Sequence, residues 1–213
     1  MKGIDDDNAD GVRRYAEGDV RIEGIETAFE GFFRIRRYRF RHTLFAGGWS
    51  GEIVRELFER GHAAAVMPYD PWRDAIVMIE QFRVGALHLP DGPWLKEFVA
   101  GMIEPGETSD EVVLREAEEE AGCTIDRLEP ICEYLVSPGG TSEMISLYCG
   151  RTDSGSLGGL HGLDEEDEDI RASVIAADAA FDMLGDGAFK AATPIIALQW
   201  LQRHRARLRR EWV

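Results

Sequence analysis

Apolar and polar positions along this chain mark out a series of short strands, one helix in their midst and two more helices near the end. From Val20 to His42, aromatics and isoleucines are mixed with charge (VRIEGIETAFEGFFRIRRYRFRH), a composition that favours strands. Residues 51–60 (GEIVRELFER) fit either a strand or a helix. HAAAVMPYD and AIVMIEQFRV flank the turn Asp70-Pro71-Trp72-Arg73-Asp74, which predicts a hairpin over His62 to Val84. Trp94 to Ile103 reads as one further strand, and Pro130 to Val136 and Met144 to Cys149 read as strands around the loop SPGGTSE. Between them, Thr108 or Ser109 is a good helix N-cap. No Pro or Gly then interrupts the run until Gly122, whose place marks a left-handed helix end. The last two helices are predicted over Ala176 to Leu184 and Pro194 to Arg210, the second with Thr193 as N-cap and Pro194 at its first position. Strands around a central helix, with helices at the end, predict an α+β fold: a mixed β-sheet sandwich flanked by helices. An N-terminal β-strand region over 1–57 precedes a domain over 58–213.

Composition narrows the partners. The chain has 213 residues and an apolar share of 44%, enough for a core. A net charge of −16 argues against nucleic acid or an anionic membrane as the main partner. The five arginines of Arg34 to Arg41 divide between the two faces of a strand, so they form no single patch. Those near the end, Arg203, Arg205, Arg207, Arg209 and Arg210, complement the C-terminus of a helix. Three cysteines, Cys123, Cys132 and Cys149, lack metal-type spacing and predict buried thiols in a reduced compartment. The acidic start MKGIDDDNAD lacks the pattern of a signal peptide, and no run is apolar enough for a membrane span, so a cytoplasmic protein is expected.

The chemistry concentrates between Gly101 and Cys123, GMIEPGETSDEVVLREAEEEAGC. On a helix, Glu116 and Glu120 are four apart and Glu119 is three from Glu116, so the carboxylates crowd its last turns. Their mutual repulsion and the negative end of the helix dipole both work against folding. A lone Glu-rich helix is most often a solvated face. Oxygen-bound divalent cations, Mg2+ above all, would reverse the sign of the cluster. Six consecutive acids, Asp164 to Asp169, form a second acidic run in a loop.

The segment fits the pattern G-x5-E-x7-R-E-U-x-E-E-x-G-U at Gly101, Glu107, Arg115, Glu116, Glu119, Glu120 and Gly122, with Ala117 and Cys123 at the apolar U positions. That pattern is the Nudix box. The segments FRHTLFAGGWS, ELFERGHAAAVMPYDP, EQFR, SPGGTSE and HGLDEEDEDI, together with Pro138 placed 16 residues beyond Gly122, resemble the bacterial ADP-ribose pyrophosphatase branch of the Nudix hydrolases. The resemblance implies hydrolysis of the pyrophosphate bond of ADP-ribose to AMP and ribose 5-phosphate, with two or three Mg2+ ions for which Mn2+ can substitute. It implies Glu116, Glu120, Glu168 and the carbonyl of Ala100 as metal ligands, and Glu119 as a further ligand or a supporting group. Arg115 is expected to orient a box acid, Glu107 or Glu119. Glu166 is implied as the general base, with Glu165 or Asp167 as alternatives if the loop shifts register.

For the substrate, the resemblance implies Arg83 on phosphate, Met102 and Glu143 near the terminal ribose, and Ser137, Pro138 and Gly139 as pocket backbone. Phe32, Phe33, Arg55, Glu56 and Arg60 are implied at the nucleotide, the first four from the second subunit of a homodimer. The rival readings are the same chemistry on a sugar nucleotide such as GDP-mannose, and a Nudix-fold ligand sensor without turnover.

Overall fold

In the computed structural model, residues 15–163 and 167–213 are described. Eleven strands and three α-helices occur among them: β1 (Val20–Glu30), β2 (Arg34–His42), β3 (Ile53–Glu59), β4 (Ala63–Asp70), β5 (Ala75–Phe82), β6 (Trp94–Glu97), β7 (Val99–Met102), α1 (Ser109–Ala121), β8 (Arg127–Leu135), β9 (Met144–Arg151), β10 (Gly159–His161), β11 (Ile170–Ala176), α2 (Ala177–Gly185) and α3 (Ala192–Trp212). They fall into two compact units. One runs to Arg60 and includes Gly139–Thr141; the other comprises Gly61–Pro138 and Ser142–Val213.

The first unit is an antiparallel sheet in the order β1-β2-β3. Its arginines pair across strands: Arg37 with Glu26 and Glu56, and Arg41 with Glu23. Phe32 and Phe33 lie in the bend between β1 and β2 rather than on a strand. Phe33 packs edge-on against Phe58 and carries the Arg60 guanidinium over its ring, while Phe32 is 89% exposed. Phe45, at 94%, is equally bare.

The second unit holds a mixed eight-stranded sheet in the order β10-β11-β5-β4-β9-β8, with β6 on β5 and β7 on β4. The β4–β9 pairing is parallel and its other pairings are antiparallel. Every residue of β4 is buried, as a central strand covered on both faces requires, and its alanines let neighbours approach closely. On one face, Ile76 and Met78 pack with Leu198, Leu201, Leu208 and Trp212 of α3. On the other, Val77 and Ile79 pack with Val112, Val113 and Ala117 of α1.

Several expectations are corrected by this topology. The predicted hairpin over His62 to Val84 is paired only beside its turn, at Tyr69–Ile76 and Asp70–Ala75, because the segment 94–102 wedges between its arms. That segment is two strands, not one. It changes partner at Phe98, which buries its ring in the α3-side core. Thr193 is not a cap: Ala191 is the N-cap of α3, without a side-chain bond, and the Thr193 hydroxyl lies 2.6 Å from the Tyr134 hydroxyl. The arginines of α3 do more than face its dipole. Arg205 and Arg209 bind Asp74 in the β4–β5 turn, and Arg207 binds Glu129 on β8, so they fasten the helix to the sheet. Cys123 and Cys149 are buried free thiols, and Cys132 is half-buried. Among the described residues, no helix is long and apolar enough to cross a membrane.

Candidate active site

Strand β7 sets Ala100, Gly101 and Met102 antiparallel to Ala65, Ala64 and Ala63. The chain then turns through Gly106, at φ 100°, into α1. Thr108 is the N-cap. Its Oγ1 accepts from the Glu111 amide at 3.3 Å, and the Glu111 carboxylate accepts from the Thr108 amide at 2.9 Å, a complete capping box. Gly122 ends the helix at φ 62°, a left-handed conformation that costs a glycine nothing. Both ends of α1 are therefore fixed by local residues, which fixes the direction in which its glutamates emerge.

Glu116 lies directly over the backbone of Gly101, where a Cβ atom would overlap its carboxylate. Burial raises the Glu116 carboxyl above its ordinary range, with Arg115 opposing and Glu119 and Glu168 reinforcing the shift. Glu120 is 3% exposed, and its Oε2 accepts from the Ala100 amide at 3.1 Å. Burial pushes its carboxyl up to about 8. The Ala100 amide and Arg83 work against that rise, and the charges of Glu116 and Glu168 add to it. Arg115 holds three box acids together: its Nη1 donates to Glu116 at 2.9 Å and to Glu119 at 3.0 Å, and its Nε lies 3.5 Å from Glu107.

Glu168 comes near enough to this helix for its charge to raise the carboxyls of Glu116 and Glu120. Gly162 sits at φ 101°, and a Cβ there would fall 2.8 Å from the carbonyl oxygen of Glu168, so only glycine lets the chain fold back on itself at this point. The Glu168 amide closes the loop by donating to the Leu163 carbonyl at 3.2 Å. Glu166, expected as the base, and its neighbour Glu165 lie outside the described residues. Among the described residues, no three His, Cys, Asp or Glu side chains converge as closely as a formed metal cage requires. The donor chemistry nevertheless fits a hard divalent cation: a buried and a half-buried carboxylate, Glu120 and Glu116, both raised by burial, one turn apart on a helix fixed at both ends.

The remaining expected residues divide between the two units. In the second unit, Arg83 donates from Nε to Glu97 Oε2 at 2.8 Å. Met102 is half-buried at the end of β7, Glu143 is buried, and Ser137 and Pro138 are exposed after β8. In the first, Arg60 joins Phe33, while Arg55 and Glu56 are neighbours on β3 and so point to opposite faces. Gly139 belongs to this unit as well. Two residues beside Arg83 went unread in the sequence: Glu97, its partner, and Gln81, a buried amide in a row otherwise filled by Val77 and Ile79. A polar residue breaking the core-facing alternation of AIVMIEQF was the signal available for Gln81.

Comparison with known proteins adds four findings. The NUDIX domain family model matches residues 59–190. The ADP-ribose pyrophosphatase of Escherichia coli K12 is 48% identical over 198 residues, covering 93% of this chain and 95% of the relative. The protein of the same name from Haemophilus influenzae is 42% identical over 204 residues, covering 94% of each. A crystal structure described as an ADP compounds hydrolase superposes with a TM-score of 0.67 at 22% identity, covering 90% of this chain and 97% of that one. That last likeness concerns the fold.

Proposed function

The chain belongs to the NUDIX domain family, and from that premise we propose that it is a metal-dependent ADP-ribose pyrophosphatase, hydrolysing ADP-ribose to AMP and ribose 5-phosphate. The observation that carries the reading is the box cluster of buried Glu120 and half-buried Glu116, whose carboxyls are raised by burial, inside a chain that is similar over nearly its whole length to enzymes of that name. Glu116, Glu120, Glu168 and the Ala100 carbonyl would hold the divalent cations, two or three Mg2+ or Mn2+ in their place. When bound, such ions neutralise diphosphate charge and lower the pKa of a bound water.

The chain's own residues do the rest. Arg115 keeps Glu116 and Glu119 oriented. Arg83 takes a diphosphate oxygen, and Glu166 accepts the proton of the attacking water. Met102, Glu143, Ser137, Pro138 and Gly139 frame the terminal ribose. In a homodimer, a second copy covers the exposed Phe29, Phe32 and Phe45, and Phe32, Phe33, Arg55 and Glu56 serve the partner's nucleotide. The test is the release of AMP from ADP-ribose with Mg2+, with and without chelator. A wild-type protein that releases no AMP overturns the reading. Sedimentation of an active monomer at micromolar concentration overturns the dimer.

A further inference from the structure

Gln81 is 7% exposed, and its amide nitrogen is buried with no hydrogen-bond partner among the described residues. It stands in β5 two residues after Ile79 and four after Val77, so strand alternation places it on the face that packs against α1. Nature rarely leaves such a donor idle, because an unpaired buried amide is costly. Across the strand, Gln81 opposes Leu95, and Ile79 opposes Glu97.

Arg83 continues the extended backbone (φ −128°, ψ 110°), which returns its side chain to this same face. Its bond to Glu97 therefore runs diagonally across the rung occupied by Gln81 and Leu95. The register thus sets three groups on one face within neighbouring rungs: a guanidinium, the carboxylate that now holds it, and an unused amide donor on the rung between. Glu97 has a side chain only 15% exposed and would be left buried and unpaired if Arg83 departed.

We propose that the Arg83–Glu97 pair is a resting arrangement and that Gln81 is a positioning residue: when Arg83 turns to the substrate diphosphate, the Gln81 amide donates to the Glu97 carboxylate in its place. The hand-over rests on the reading of Arg83 as a phosphate-binding arginine. It explains why an amide occupies a position where leucine would fill the core at no polar cost. It also makes Arg83 available to substrate without stranding an acid in the sheet.

The experiment is a double-mutant cycle on Gln81→Leu and Glu97→Gln, read by melting temperature without ligand and by steady-state hydrolysis of ADP-ribose. Gln81→Leu alone should melt no lower than wild type, because it removes an unsatisfied donor, yet raise KM about fivefold, the scale of one hydrogen bond, with kcat within about twofold. Glu97→Gln should lower KM by freeing Arg83, and in that background Gln81→Leu should add nothing. A lowered melting temperature with unchanged KM would make Gln81 merely structural and overturn the hand-over. So would an undiminished KM effect in the Glu97→Gln background. Should the wild type fail to hydrolyse ADP-ribose, the proposed function falls. The same cycle, read as calorimetric affinity for inorganic pyrophosphate, then still decides the hand-over on the same criteria.

Discussion

At the β4–β5 turn, Asp70 is fully buried and accepts bonds from the amides of Trp72, Arg73 and Ser154, the Ser154 hydroxyl and the Arg73 guanidinium, whereas Glu120, almost as buried at the end of α1, accepts one bond among the described residues, from Ala100. Asp74 repeats the first pattern with Tyr69, Arg205 and Arg209. Burial is the largest single influence on the carboxyls of Asp70, Asp74, Glu116 and Glu120, and alone it raises them all. At Asp70 and Asp74 the assembled donors outweigh it and hold the carboxyl below its ordinary value; at Glu116 and Glu120 they do not. The same side-chain chemistry in the same unit thus meets two different environments. Where the chain supplies the donors, the acid is structural; where it withholds them, the acid suits the cation-binding role proposed for it.

Glu120→Gln puts this contrast to its hardest test. Turnover of ADP-ribose should fall by about a thousandfold, the upper scale for one misplaced electrostatic group, while the metal-free variant melts at or above the wild-type temperature. A variant that unfolds would place Glu120 with the structural acids and erase the distinction. Gly101→Ala attacks the same cluster from below, since the added methyl overlaps the Glu116 carboxylate and must displace it. Activity should drop about a hundredfold, the scale for disturbing the support of a metal ligand, and the Mg2+ concentration for half-maximal activity should rise. An unchanged Mg2+ requirement would show that Glu116 has no part in holding metal.

How far the sequence foretold this contrast depends on the range of the interactions. The box carboxylates were readable because their spacing, the Thr108 cap and the Gly122 stop all lie within one helix, where local geometry decides position. Asp70 and Asp74 were read only as turn residues, because their partners Ser154, Arg205 and Arg209 come from more than 80 residues away. Trp94 to Ile103 read as one strand because Phe98 continues the apolar run, and a change of strand partner leaves no local trace. The strand β11 was missed altogether. It follows the acidic run directly, and its antiparallel pairings with β5 and β10 are what make it a strand. Gln81 and Glu97 stayed hidden for the same reason: their meeting is a matter of register.

Asp70→Ala sharpens the other side of the comparison. It leaves a cluster of buried donors without an acceptor, which should cost about 3 kcal/mol of stability in chemical denaturation. The turnover of the folded fraction at 25 °C should stay within about twofold of wild type, since the turn belongs to the α3 fastening and not to the box. A large fall in kcat with stability intact would mean that the turn takes part in the chemistry.

The smallest effect expected is also the one in which the two regions oppose each other in sign. Asp70 and Asp74 have folded values below the ordinary carboxylate range of about 3.9, so the unfolded chain binds their protons first as pH falls. Their contribution is complete above that range and is lost as pH drops through the lower, folded values. Glu120, pushed up to about 8, runs the other way: between about 8 and the ordinary value the folded state binds the extra proton, so acidification stabilises it. In chelator, stability should therefore rise as pH is lowered from 9 toward 5 and then fall below about 4, each limb with a slope of at most about 1.4 kcal/mol per pH unit for each proton involved. Glu120→Gln should flatten the alkaline limb and leave the acid limb in place, whereas Asp74→Asn should weaken only the acid limb. Saturating Mg2+ should also abolish the alkaline limb, because a bound cation holds the carboxylate ionised in the folded state. An alkaline limb of undiminished slope in Glu120→Gln would mean that Glu120 is not the acid that carries it.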